Sequence, residues 1–153
     1  MSLRYIIEEK YKNSIKIKNA EETNTFRLVK SAIKDKDIAS RSKENKDEIS
    51  NNEILSLLQN LIKQRKDSIE SFKLAKREDL ILIEQKEIDI ISLLLPQQMN
   101  EEEVNLLIQK IIKDENLQSL KDMGKLMNIL KENHIGNIDM ALAGKIAKTN
   151  LKN

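Results

Sequence analysis

Cysteine and tryptophan are absent from this chain of 153 residues, glycine occurs three times, and proline and histidine once each. Each shortage removes a class of chemistry. Without cysteine there is no disulfide framework, thiol nucleophile or thiolate metal site. One histidine cannot build a His/Cys zinc centre, and three glycines cannot supply a phosphate-cradling loop as well as turns. Phenylalanine and tyrosine number two each, so a nucleic acid would be held through backbone and shape rather than by stacked bases. Long apolar runs are missing too. The strongest, Ile88 to Leu95, contains Asp89 and Ser92 and falls far short of the roughly 20 residues that a bilayer requires. Met1 to Asn19 alternates charged and apolar side chains, so neither a signal peptide nor a membrane span is expected there. The expectation is a soluble cytoplasmic protein without metal or cofactor.

What remains is charge and helix-forming residues. Asp, Glu, Lys and Arg make up 34% of the chain, and with so few helix breakers the predicted fold is all-α. The formal net charge of +2 is unevenly spread. Residues 1–46 carry +5, residues 47–95 carry −3, and residues 96–153 are neutral.

Periodicity predicts helices over Leu3–Lys18, with Leu3, Ile7, Tyr11 and Ile15 repeating every four residues, and over Glu21–Ala39, with Phe26, Val29, Ala32 and Ile33 on one face. The polar run from Ser40 to Ser50 reads as a mobile connection. Ser50 and Glu53 form a capping-box pattern at the head of a third helix reaching about Lys76. A fourth helix, from Arg77 or Asp79 to Leu95, stops at Pro96, which lacks an N–H and disfavours helical geometry before it. Pro96 is the expected boundary between an N-terminal helical subdomain, residues 1–95, and a C-terminal one, residues 96–153. The latter is predicted to hold three helices. One is capped by Asn100, with Val104, Leu107, Ile108 and Ile111 inward, and one is opened by Ser119 and Asp122 and ends near Gly136. The last is capped by Asn137 or Asp139, with Leu142 and Ile146 on its face.

Ile54, Leu58, Leu61, Ile69 and Phe72 share one sector of the third helix, and Arg65 falls in its middle. A guanidinium on an apolar stripe calls for a partner. Glu84 and Glu87 lie on the apolar face of the fourth helix, with Leu80, Ile91, Leu94 and Leu95. An antiparallel hairpin turning near Arg77 pairs Arg65 with Glu87 and offers Glu84 as second acceptor; the alternative is three snorkelling side chains. Two carboxylates a helical turn apart could serve as acid and base, but no nucleophile or glycine turn accompanies them, and no catalytic residue is assigned. His134, near a helix end, suits a capping role.

Basic side chains cluster on helix faces: Arg27, Lys30 and Lys34 on the second helix, and Lys63, Lys66, Lys73 and Arg77 along the third. They could hold phosphates. Equally, Asp67 four residues after Lys63 and Glu70 four after Lys66 match the charge lacing of a solvated helix.

The run Lys63-Gln64-Arg65-Lys66-Asp67-Ser68-Ile69-Glu70, with Phe72-Lys73 and Arg77-Glu78-Asp79-Leu80 behind it, resembles the GatB/YqeY-domain family. Leu95-Pro96-Gln97-Gln98 with Glu101-Glu102-Glu103 extends the match, as do Lys121-Asp122-Met123-Gly124-Lys125-Leu126-Met127, Gly136 and Asp139. Arg27 to Ile33 fits upstream, so the likeness covers nearly the whole chain. The resemblance implies an N-terminal helical subdomain with a long antiparallel helix pair, joined to a small three-helix subdomain. It also implies a context. A similar domain forms the tail of the B subunit of glutamine-dependent amidotransferases that convert glutamyl-tRNA(Gln) or aspartyl-tRNA(Asn) to the amide, and that tail helps to hold tRNA. Family members often carry the label of a carbon–nitrogen ligase with glutamine as amido-N-donor, but the catalytic cradle, ATP and magnesium ligands and ammonia channel of the B subunit have no counterpart here. The partners implied are tRNA and an amidotransferase or other translation-related protein, with Lys125 and Lys131 as further basic candidates.

The chain departs from the family pattern twice. Asn137 and Ile138 stand where a basic and a small residue are expected, and Lys76 stands where a glycine is expected between the third and fourth helices, which predicts a slightly longer third helix. A module that binds tRNA or an amidotransferase partner is the leading functional expectation. A protein-interaction module with no nucleic-acid role is the alternative.

Overall fold

The computed structural model describes residues 2–41 and 48–151, and divides the chain into two compact units, Met1–Leu95 and Pro96–Asn153. The fold is all-α. In the first unit α1 spans Leu3–Lys16, α2 Ala20–Ser40, α3 Asn51–Leu74 and α4 Glu78–Ser92. In the second, α5 spans Glu101–Asp114, a short 3-10 turn covers Leu120–Asp122, and α6 (Met123–His134) and α7 (Met140–Asn150) follow.

The core of the first unit joins Leu3 and Ile7 of α1, Phe26, Val29 and Ile33 of α2, Ile54 and Leu58 of α3, and Ile91 and Leu94 at the end of α4. Burying such side chains contributes about 1.5–3 kcal/mol each. The α1 stripe corrects its expected register. Ile15 is half exposed, whereas Ser14 is fully buried. A repeat of four drifts about 40° per step on a helix that turns 100° per residue, so after three steps position 14 lies closer to Leu3 and Ile7 than position 15 does. Burial of the serine is made tolerable by its hydrogen bonds: its hydroxyl donates to Tyr11 O at 2.6 Å and accepts from Thr23 Oγ1 at 2.8 Å.

The connection between α2 and α3 lies in part outside the described residues, at 42–47. Its described end is anchored. Ile49 is buried in the core, and Asn51 Oδ1 accepts from the Leu3 amide at 3.2 Å. Ser50 caps α3 through the Glu53 amide, 3.2 Å. At the far end α3 stops at Leu74 instead of lengthening. Lys76 takes the left-handed conformation, φ 55°, and the Arg77 amide donates to Phe72 O at 2.9 Å. The lysine thus performs the turn that a glycine performs without strain. Lys18 after α1 and Asn116 after α5 do the same, with φ 58° and 54°.

The second unit packs Val104, Ile108 and Ile111 of α5 against Leu126 and Leu130 of α6 and Ala143, Ile146 and Ala147 of α7. Asn100 and Glu103 complete a reciprocal capping box, and Asp139 caps α7 through the Ala141 and Leu142 amides. Asn137, the other expected cap, is used differently. Its carbonyl accepts from the Met99 amide at 2.8 Å, and its side-chain amide donates to Gln97 O at 3.3 Å. Gln98 Nε2 donates to Gly136 O and to Pro96 O. The Pro96–Met99 segment is thereby sewn to the turn after α6, where Gly136 supplies φ 87°.

Candidate functional site

The α3/α4 hairpin places Arg65 against Glu87: Nε donates to Oε2 at 2.7 Å, with the arginine side chain 11% exposed. The second contact of Arg65 differs from the expected one. Its Nη1 donates to Leu61 O at 3.0 Å, and Glu84, half-buried, makes no ion pair among the described residues. The reason is the lean of helical side chains toward the N-terminus of their own helix. From α3 that lean carries the guanidinium away from the hairpin tip, toward Leu61 and the level of Glu87, and Glu84 lies nearer the tip.

A second buried pair carries no counterpart in the sequence motifs. Asp37 is 6% exposed on the inner face of α2. Arg4 of α1 grips it with Nη2 to Oδ1 at 2.6 Å and Nη1 to Oδ2 at 3.0 Å, and the Ile49 amide donates to Oδ1 at 2.9 Å. Arg4 Nη2 also reaches Ile49 O at 3.3 Å, and Glu48 lies 3.4 Å from its Nε. The hydrogen bonds from Arg4, helped by the Ile49 amide, hold the Asp37 carboxyl below its ordinary range despite the opposing effect of burial. Asp37 extends the spacing of Phe26, Val29 and Ile33, the same mark of a charge on an apolar stripe that singled out Arg65.

The basic candidates fall into paired and unpaired sets. Lys30 Nζ lies 2.7 Å from Glu8 and 4.2 Å from the Tyr11 ring centre, and the Arg27 guanidinium sits 5.9 Å from the same ring. The pairing with Lys30 lowers the Glu8 carboxyl pKa. Lys34 borders a crevice of about 140 Å³ between α1 and α2 that Arg4, Glu8 and Asp37 also line. On α3 the expected lacing is replaced: Glu70 pairs with Lys73 at 3.3 Å rather than with Lys66. Arg77, the residue before α4, grips Asp79 at 3.0 and 3.1 Å, and that bond lowers the aspartate pKa. In the second unit Lys125 lies 3.7 Å from Glu115. Lys63, Lys66 and Lys131 are exposed and form no ion pair among the described residues. His134 ends α6 with its carbonyl accepting from the Asn137 amide.

Among the described residues no three His, Asp or Glu side chains converge as metal ligands, and no helix is long and apolar enough to cross a membrane. The first unit thus holds two partly buried ion pairs and carries exposed lysines on α3.

The family model described as Yqey-like protein matches residues 4–151. Altered inheritance of mitochondria protein 41, mitochondrial, from Saccharomyces cerevisiae strain YJM789 is 35% identical over 111 residues, covering 72% of this chain and 54% of the yeast protein. The protein of the same name from Pyrenophora tritici-repentis is 36% identical over 80 residues, covering 52% of this chain and 41% of its own. The chain thus spans about half the length of the yeast relative that it matches. With the family model covering residues 4–151, the chain belongs to the YqeY-like family.

Proposed function

We propose that this chain is a non-catalytic accessory module that holds tRNA by its phosphates, in the service of a carbon–nitrogen ligase system that uses glutamine as amide donor. The observation that carries the reading is the state of Lys63 and Lys66. They stand exposed one turn apart on α3, on the side away from the Ile54 and Leu58 stripe, and no acidic side chain neutralises them among the described residues. Arg27, Lys30, Lys34, Lys73 and Arg77 would add to the attraction, each discounted where a carboxylate already holds it. Cytoplasm is the compartment proposed for this chain; the relatives carry the word mitochondrial in their names.

A gel-shift titration with uncharged tRNA at low and physiological salt tests the proposal. Engagement of several phosphates lowers affinity by about a decade or more between the two conditions, and Lys63→Ala with Lys66→Ala flattens that salt dependence by about one to two units of slope. Absence of binding at low salt would overturn it.

A second reading, a protein-interaction module without a nucleic-acid role, is favoured by a different observation. Leu82 and Ile83 on α4 are large apolar side chains left mostly in water.

A further inference from the structure

Helix α4 shows two apolar faces. One, with Ile91 and continued by Leu94 just past the helix end, is buried in the core. The other carries Leu82 and Ile83, 62% and 53% exposed, and looks across to the first turns of α2. Between the two helices runs a groove of about 250 Å³, lined by Leu82, Ile83, Lys86 and Glu87 of α4 and by Glu21 and Thr25 of α2. Lys86 bridges it at one point, reaching Glu21 at 3.3 Å. Leu28, three residues beyond Thr25 on the same face of α2, is also exposed.

The charge around this groove selects its occupant. Glu21 is met by Lys86, Glu87 by Arg65 and Asp79 by Arg77, whereas Glu78, Glu84 and Asp89 of α4 and Glu22 in the first turn of α2 form no ion pair among the described residues, which leaves the two helices acidic. Phosphates are repelled by such a surface. A second copy would set the same acidic helix against itself, and like charges facing one another across an interface are costly. The exposed apolar pair Leu82 and Ile83 lies in a trough between two helices, which is the form that receives an amphipathic helix. We infer that the α2/α4 groove docks a basic amphipathic helix of a partner protein, its leucine-type side chains entering against Leu82 and Ile83 and its lysines or arginines facing the acidic rim. The inference rests on the protein-interaction reading and is independent of the RNA proposal, whose carrying lysines, Lys63 and Lys66, lie on α3.

The test uses the full chain and a synthetic helical peptide of about 15 residues with leucines on one face and lysines on the other, beside an analogue with glutamates in place of the lysines. Amide chemical-shift mapping of the isotope-labelled chain is expected to place the perturbations at Thr25, Leu82, Ile83 and Lys86 for the lysine peptide only. Leu82→Ser with Ile83→Ser, both at exposed positions, should weaken binding about tenfold or more with an unchanged thermal melt, and Lys63→Ala with Lys66→Ala should leave it intact. Equal binding of the glutamate analogue, or undiminished binding by the serine variant, overturns the docking site. Perturbations confined to other helices overturn the groove while keeping an interaction role; a silent spectrum overturns both. A dimer in sedimentation of the chain alone, dispersed by the serine pair, assigns the groove to a second copy instead.

Discussion

Arg4 and Asp37 meet through two parallel hydrogen bonds of 2.6 and 3.0 Å across 33 residues of sequence, and the same carboxylate holds the Ile49 amide at 2.9 Å. One side chain therefore ties α1, α2 and the approach to α3 together. Removing Arg4 leaves the buried Asp37 carboxylate without its cation, whereas removing Asp37 leaves Arg4 partly in water with Glu48 at 3.4 Å.

Asp37→Asn is expected to destabilise the chain by about 2–3 kcal/mol, below the full loss for a deeply buried pair because Arg4 retains some access to water. Arg4→Ala should cost a similar amount. Chemical denaturation of both variants and of the double variant checks this: the double loss should fall well short of the sum, since each single change already breaks the same clasp.

The pair also sets a pH dependence. The Asp37 carboxyl is lowered by its bonds from Arg4 and the Ile49 amide, so the folded chain binds that proton less readily than the unfolded chain. Its contribution is complete above the unfolded carboxylate value of about 4 and is lost as pH falls through the lower folded value. Glu8, Asp79 and Asp122 shift in the same direction, the last through the Gln118 and Ser119 amides. The Asp37 share is therefore read as a difference. Melts between pH 6 and about pH 2 should show a shallower acid decline for Asp37→Asn than for the parent chain.

For Arg65 and Glu87 a double-mutant cycle is expected to give a coupling of about 1–2 kcal/mol, above the range of exposed surface pairs because the arginine is nearly dry. Glu84→Gln should change stability by less than about 0.5 kcal/mol. Additive losses for Arg65→Ala and Glu87→Ala would show that the 2.7 Å contact contributes nothing to holding the hairpin.

Lys76→Gly should raise stability by about 0.5–1 kcal/mol. A left-handed residue with a Cβ is strained by roughly 1–2 kcal/mol, and part of the relief is offset by the greater freedom of glycine in the unfolded chain. The side chain is exposed, so no packing is lost. Lys76→Val should move the melting temperature the opposite way, because β-branching resists φ near 55°.

Much of this fold was legible in particular residues. Ser50, Asn100, Ser119 and Asp139 mark helix starts because capping is a local bargain between one side chain and its own backbone, whereas α4 ends at Ser92, short of the expected Leu95, and Pro96 restricts only the residue before it. Arg65 announced a partner because a charge interrupted an apolar stripe. Asp37 interrupts its stripe in the same way, yet its acceptor role depends on Arg4 and Ile49, which approach from helices and segments that no local spacing relates. Ser14 shows another limit: a strict four-residue repeat points to Ile15, and the extra rotation of a real helix turns the serine inward. The candidate site was less legible. Lysine spacing on α3 is visible in sequence, but which lysines keep a free charge depends on whether Glu70 turns to Lys66 or to Lys73.

The seam between the Pro96–Met99 segment and the turn after α6 also bears on where the chain can be cut. The Met99 amide lies outside every helix, yet it donates to Asn137 O at 2.8 Å, and in hydrogen exchange it should tick as slowly as a helical amide. A fragment begun at Asn100 would keep α5, α6 and α7 complete and still leave Asn137 and Gly136 facing water where Met99 and Gln98 had been. The natural first residue of a stand-alone C-terminal piece is therefore Pro96, four residues upstream of the first helix cap.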